Sequence, residues 1–276
     1  MAKRRMGTLA AWLPLLVLLV LLPALLYGAA LAFIAWRQEA LLFYPQVLAA
    51  DHRFAVAADD VQELWIDVPG ARLHALQLKR PAPSAVVYFL HGNGGSLDSW
   101  FVDLDFYRRA NVDLVMLDYR GYGKSSGRIG SEAQLLADVR AAWQQVAPQY
   151  VGVRRVFVGR SLGTGPAAML AADVQPEATV LVSPYFSMQS LAAEHYPWVP
   201  GALLRYPLRT DAAVTRIAGA LLLVHGSRDT VIPPAHTERL QALAPRAAVT
   251  IIEGAGHNDL QGFAAYRQRL LQLMAP

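Results

Sequence analysis

Arg155-Val-Phe-Val-Gly-Arg-Ser-Leu-Gly-Thr-Gly-Pro-Ala-Ala-Met-Leu-Ala-Ala172 decides the fold. Its first residues are β-branched and apolar, as in a short buried strand, and its last are the alanine-rich start of a helix. Between them Gly159-Arg160-Ser161-Leu162-Gly163 forms a G-x-S-x-G turn at the strand-helix junction. A serine at such a junction is held in a strained backbone conformation that pushes its Oγ into open space. Glycine is needed on both sides, because a side chain there would collide with the neighbouring strand or helix. The helix that follows aims its first amides at the place where an oxyanion would form. Ser161 is therefore the candidate nucleophile.

Gly123-Lys124-Ser125-Ser126-Gly127 is the same string in the wrong context. Tyr119-Arg120-Gly121-Tyr122 separates it from the preceding strand, no helix starts at Gly127, and the polar glycine-serine stretch reads as a loop.

Working outward, Glu63–Gly70 and Arg72–Lys79 alternate apolar and polar residues around a Pro69-Gly70 turn, which predicts a β-hairpin. Continuous apolar runs at 85–90, 112–117, 153–158, 178–182, 220–224 and 248–252 have the pattern of strands buried on both faces. Helical stretches lie between them at 97–109, 131–146, 162–172, 234–243 and 259–274, with Ser131 as an N-cap. This alternation predicts an α/β fold with a mostly parallel sheet of about eight strands and helices on both faces. The connection from Ser183 to about Arg216 is too long and too aromatic for an ordinary loop. It reads either as a small cap, with Tyr185, Phe186, Tyr196 and Trp198 as substrate-pocket candidates and His195 near substrate, or as rings that simply pack on the sheet edge, and some of them can do both.

With 276 residues, a net charge of +4 and no cysteine, the chain has room for one large domain and neither a disulfide nor a thiolate metal site. Its basic residues are dispersed beyond the first few, which argues against nucleic-acid binding. Lys3, Arg4 and Arg5 precede an apolar run from Leu9 to about Trp36, with no charge before Arg37. A spanning helix needs about 20 such residues, whereas the core of a cleaved signal is about 7–15. Residues 1–36 are thus expected to be a membrane anchor, although Ala30-Leu31-Ala32 leaves a signal peptide and a secreted product as the alternative. Trp12, Tyr27 and Trp36 are candidate interface anchors. The positive end stays cytoplasmic, which places the domain on the exported side. Residues 37–60 connect the anchor to a catalytic domain at 61–276, with the cap at 183–216.

A serine hydroxyl needs a base, and the base needs an orienting acid. After an elbow of this kind the acid comes next in the chain, then the histidine. Asp229 and His257 each follow an apolar strand, where groups gather at the carboxyl edge of an open sheet. Asp211 and Asp259 are the rival acids; Asp259 is better suited to cap the last helix. His91 and His225 read as loop braces, and His236 as helix surface. The loop His91-Gly92-Asn93-Gly94-Gly95 would supply one backbone oxyanion donor, Asn93 with Gly94 as the alternative, and Leu162 the other. It fits neither glycine-rich phosphate motif, and no histidine pair has metal-ligand spacing, so neither cofactor nor metal is expected.

His91-Gly-Asn-Gly94, Asp118-Tyr-Arg-Gly-Tyr-Gly-Lys-Ser125, Gly159-Arg-Ser-Leu-Gly163, His225-Gly-Ser-Arg-Asp229 and Gly254-Ala-Gly-His-Asn-Asp259 together resemble the α/β-hydrolase superfamily. The branch they look most like is the membrane-anchored serine hydrolases of the ABHD type, which has bacterial homologues. The likeness runs from about Leu41 to the C-terminus, and Tyr196-Pro-Trp198 also resembles bacterial members. It implies a serine hydrolase acting on esters or thioesters of acyl, lipid-like substrates, because animal relatives include protein depalmitoylases and lysophospholipid or monoacylglycerol lipases. Arg160 stands where relatives often carry Gln, Glu or His; beside the oxyanion region, it is a further pocket candidate. Two other readings stay open. One is an aminopeptidase-like enzyme on the same residues, with Glu194 to hold a peptide amine. The other is a non-catalytic binding protein. Ser161→Ala is expected to abolish ester hydrolysis and Ser125→Ala to leave most of it, as an ester assay on the two variants would show.

Overall fold

All eight expected strands form, in one sheet. They are β1 Val61–Val68, β2 Ala71–Leu78, β3 Ala85–Leu90, β4 Val112–Asp118, β5 Arg154–Arg160, β6 Ala178–Val182, β7 Ala220–Gly226 and β8 Ala248–Ile252. The structure, a computed structural model, describes the backbone of residues 3–56 and 58–275 and side chains from residue 17 onward. Trp12 has no described side chain, so its expected anchoring role lies outside the described residues. The strand order is β1-β2-β4-β3-β5-β6-β7-β8. β1 and β2 pair as the Pro69-Gly70 hairpin, β2 runs antiparallel to β4, and the remaining pairs are parallel. β4 lies on one side of β3 and β5 on the other, so the loops leaving β3 and β5 diverge and open a crevice at the carboxyl edge.

The period of two along each strand builds two cores. Val86, Tyr88 and Leu90 face a layer with Trp143, Ala167 and Ala171, from helices α2 (Glu132–Val146) and α3 (Thr164–Val174). Ala85, Val87 and Phe89 face Phe101, Leu104, Tyr266 and Leu270 in the opposite layer. A sheet covered on both faces needs apolar residues at every position, and β3 and β4 are buried throughout. The Ser131 hydroxyl accepts from the Gln134 amide and caps α2, as its sequence predicts.

Three helical expectations change. The stretch 97–109 splits into Leu97–Trp100 and Leu104–Arg109, because Asp103 turns left-handed at φ 56. The last helix, Ala264–Met274, starts five residues later than expected. The Asp259 carboxylate folds back to accept from the Gly256 amide instead of capping that helix. The N-terminal helix, α1, runs from Lys3 to Leu42, beyond the expected end of the anchor at 36. Val17 to Ala29 is exposed throughout, whereas Ala30, Leu31, Ile34, Ala35, Gln38, Glu39 and Leu42 form a helical stripe against the domain. Gln38 Nε2 donates to the Leu203 carbonyl, the Arg205 amide donates to Gln38 Oε1, and Tyr206 donates to Glu39. Tyr27 donates to the Trp198 carbonyl at 2.8 Å. The segment 183–216 carries one two-turn helix, Met188–His195, and two shorter turns, and its outer part packs along α1.

One buried ion pair ties the hairpin turn to α2. Arg120 donates to Asp138 and to the Pro69 carbonyl, and both charged side chains are about 5% exposed. Removing one partner of such a pair strands the other charge in the core, a loss of about 3–5 kcal/mol. Asp138→Ala should lower the thermal unfolding midpoint accordingly, while Val151→Ala on the exposed surface shifts it little.

Candidate active site

Ser161 follows β5 in a single tight turn and sits at φ 51, a left-handed conformation that costs a non-glycine residue roughly 1–3 kcal/mol. The chain is forced into it by close contacts on both sides. A Cβ at Gly159 would lie 2.7 Å from Ala167 Cβ, and one at Gly163 would overlap the Leu90 carbonyl. The serine therefore projects beyond the carboxyl edge of the sheet.

Asp229 and His257 reach the same edge from the loops after β7 and β8. His257 Nε2 lies 2.9 Å from Ser161 Oγ, and His257 Nδ1 lies 2.7 Å from Asp229 Oδ2. The other carboxylate oxygen, Oδ1, accepts from the Val231 and Ile232 amides. Burial pushes the Asp229 carboxyl up, yet His225 beside it, His257 and the Ile232 amide outweigh that and hold it far below the usual carboxylate range. His225 itself is locked between Thr237 Oγ1 and the Ile232 carbonyl, a brace as expected. The rival acids are occupied elsewhere: Asp211 is paired with Arg209, and Asp259 with the Gly256 amide.

The 91–95 loop is held from outside. Tyr44–Pro45 pairs in parallel with Gly94–Gly95, and the Asn93 carbonyl accepts from the Tyr44 amide and from the Tyr122 hydroxyl at 2.7 Å. Asn93 thus has its carbonyl bound while its own N–H has no acceptor among the described residues. Leu162 lies in the first turn after Ser161, where amides lack intrahelical partners. Ser125 is elsewhere: it is buried, accepts from the His74 amide and donates to the Asp118 carbonyl.

The pocket candidates divide. Arg160 lines a cavity of about 420 Å³ together with Trp100, Phe106, Gln261, Tyr266 and Arg267. Tyr185 is instead fully buried, accepting from the Gly165 amide at 3.1 Å and donating to the Leu162 carbonyl at 2.9 Å, so it braces the helix behind the serine. Phe186 lies under the Arg239 guanidinium, and Tyr196 and Trp198 are exposed, Trp198 beside Tyr27. None of these four lines the cavity. His236 is buried, not on the surface, accepting from the Phe186 amide and facing Glu194. Glu194 also meets Arg239, so the carboxylate that a peptide amine would need is already neutralised. His195 packs on the Val231 carbonyl. Trp100 and Phe106 are not legible as cavity wall, because an unbroken helix over 97–109 hides the break between them; Trp100 Nε1 donates to the Gly94 carbonyl at 2.6 Å.

An eight-stranded sheet of this order, with a serine, a histidine and an aspartate in contact at its carboxyl edge, defines an α/β hydrolase. A family profile described as "Serine aminopeptidase, S33" matches residues 81–210. The chain is 33% identical over 236 residues to the alpha/beta hydrolase domain-containing protein 17C of Xenopus tropicalis, covering 82% of this chain and 74% of that protein. With the human protein 17C it shares 34% identity over 205 residues, 71% of this chain and 60% of the relative, which is less than two thirds of the latter's length. An esterase of Pyrococcus furiosus superposes with a TM-score of 0.67 at 17% identity, over 84% of this chain and 97% of that one. A thioesterase domain from the curacin biosynthetic pathway does so at 0.56 and 15%, over 78% and 99%. The chain belongs to the α/β-hydrolase family and is a hydrolase.

Tyr185→Phe leaves the Gly165 amide and Leu162 carbonyl without a buried partner, a loss of about 1–3 kcal/mol. The expected result is a lower unfolding midpoint with an unchanged ranking of acyl-chain lengths in an ester panel, the opposite of what a pocket wall would give.

Proposed function

We propose that the protein is a membrane-tethered serine hydrolase that cleaves carboxylic ester or thioester bonds of acyl, lipid-like substrates. The observation that carries this reading is the relay from Ser161 Oγ to His257 at 2.9 Å and from His257 to Asp229 at 2.7 Å. An ionised Asp229 can only accept, so it selects the tautomer with the proton on Nδ1 and leaves the Nε2 lone pair facing the serine. In the proposed reaction Ser161 Oγ attacks the acyl carbonyl as its proton passes to Nε2. The Asn93 and Leu162 amides receive the developing oxyanion, with Gly94 as the alternative to Asn93. Collapse expels the alcohol or thiol, which takes that proton from His257. Water, deprotonated by the same nitrogen, then releases the acid and restores the serine.

The stripe of α1 packed on the domain supports retention of the helix as an anchor, because a cut after Ala32 would remove Tyr27, Ala30 and Leu31 from those contacts. Val17–Leu42 is long and apolar enough to cross a membrane. Lys3, Arg4 and Arg5 favour a cytoplasmic N-terminus with the domain on the exported side. The aminopeptidase reading has only the family profile's description behind it, since Glu194 is engaged.

A fluorophosphonate probe should label Ser161 in the wild type and not in Ser161→Ala. Ser161→Ala and His257→Ala should each lower kcat by roughly 10⁶, and Asp229→Ala by roughly 10⁴. Activity should fall in acid through one protonation, because the imidazole must be neutral to take the proton. Asp229 is held so low that its own protonation lies below that limb. A pH–rate profile with no acid limb counts against the assignment.

A further inference from the structure

We propose that the cavity beside Ser161 is a carboxylate subsite, and that Arg160 makes the enzyme selective for esters whose acyl chain ends in a carboxylate. The inference rests on the serine-hydrolase reading above and names its substrate class. Arg160 is about 92% buried, its relative exposure being 8%, and lines the cavity of about 420 Å³. One nitrogen donates to the His257 carbonyl at 3.2 Å, and its other N–H donors have no acceptor among the described residues. No carboxylate is within ion-pair reach of it among those residues, although Asp229 and Asp259 act on it from further away. A buried cation without a partner is costly, and the cost is relieved by a ligand that brings the counter-charge. Burial pulls the guanidinium below its ordinary value, as expected where no counter-ion sits against it, but an arginine stays charged.

The surroundings select the kind of anion. Trp100 covers one face of the guanidinium, its ring centroid 5.3 Å from Arg160 Cζ, so a ligand must come to the edge, where a carboxylate binds with two parallel hydrogen bonds. The second cation of the cavity, Arg267, is shared with Asp103 at 3.5 Å. The site therefore offers one uncompensated positive charge with a carboxylate nearby, which suits a monoanion and disfavours a doubly charged phosphate. Phe106, Tyr266 and Leu270 supply apolar wall for the intervening methylenes. The cavity adjoins the serine. A Cβ built at Gly92 would lie 2.9 Å from the Trp100 ring and 3.6 Å from Ser161 Cβ, so both side chains flank one bare Cα. The substrate this arrangement would take is a short diacid half-ester, with its carbonyl at Ser161 and its free carboxylate at Arg160.

The test compares the para-nitrophenyl half-ester of glutaric acid, its phosphonate counterpart and the neutral para-nitrophenyl hexanoate on the full chain in detergent. The wild type should favour the half-ester over the hexanoate by roughly ten- to hundredfold in kcat/KM, the worth of a charge-assisted hydrogen bond. Arg160→Gln should bring that ratio close to one, and Arg160→Lys should recover part of it. Independently of turnover, Ser161→Ala should bind monomethyl glutarate by calorimetry and not dimethyl glutarate, and Ser161→Ala/Arg160→Gln neither. A wild-type ratio near one, preference for the phosphonate, or an equal loss on both carboxylic esters in Arg160→Gln overturns the proposal; the last would mean that Arg160 only positions the His257 loop. Failure of fluorophosphonate labelling sinks the hydrolase reading instead, and the calorimetric comparison still decides whether the carboxylate is bound.

Discussion

The contact between the bare Cα of Gly163 and the end of β3 is the constraint on which the site depends. Because the Leu90 and His91 carbonyls occupy the space of a Cβ, the chain after β5 can press directly against β3. That closeness leaves no room for a relaxed turn, and Ser161 takes the left-handed conformation at φ 51. The strain is offset by two well-packed cores and by Tyr185, which holds the first carbonyl and amide of the following turn. A serine relaxed into ordinary helical geometry would lie back in the wall, out of reach of His257.

Around this elbow the protein fixes polar groups before any substrate arrives. Asp229 spends one oxygen on two backbone amides and the other on His257, so its orientation is set by the loop and not by the reaction. The 91–95 loop is pinned by the stretch just after α1 and by Tyr122. The N-terminal segment is therefore joined to the site as well as to its own helix: the chain leaves α1 at Leu42 and two residues later is paired with the loop that faces Ser161. Preorganised dipoles of this kind lower a barrier because they need not reorient as charge develops.

Much of this was legible in the chain. Strands buried on both faces must be apolar at every position, so β3, β4 and β5 stand out, and the glycine-flanked Ser161 lies in a strand-helix context that the decoy around Ser125 lacks. Asp229 and His257 could be chosen because strand ends in a parallel sheet share one edge. The aromatic segment 183–216 misled for a definite reason. Aromatic rings in a long connection must be covered by something, and composition does not say by what: Tyr185 went beneath the elbow, Phe186 under Arg239, and Trp198 against α1. His236 misled likewise, since its helix exposes most of its length but turns that one imidazole into the protein.

By itself the sequence determined the sheet, the order of its strands along the chain and the choice of Ser161, Asp229 and His257 as the candidates that the structure brings into contact, because those follow from local periodicity and from chemistry that admits few substitutes. Tertiary structure alone decided which side chains wall the cavity and which charges are cancelled. Whether Arg160 is neutralised depends on residues far away in the chain, Asp229 and Asp259 among them, and on Trp100, which its hydrogen bond to the Gly94 carbonyl holds against the guanidinium. Distances between such groups are set by packing, and no window of sequence contains them.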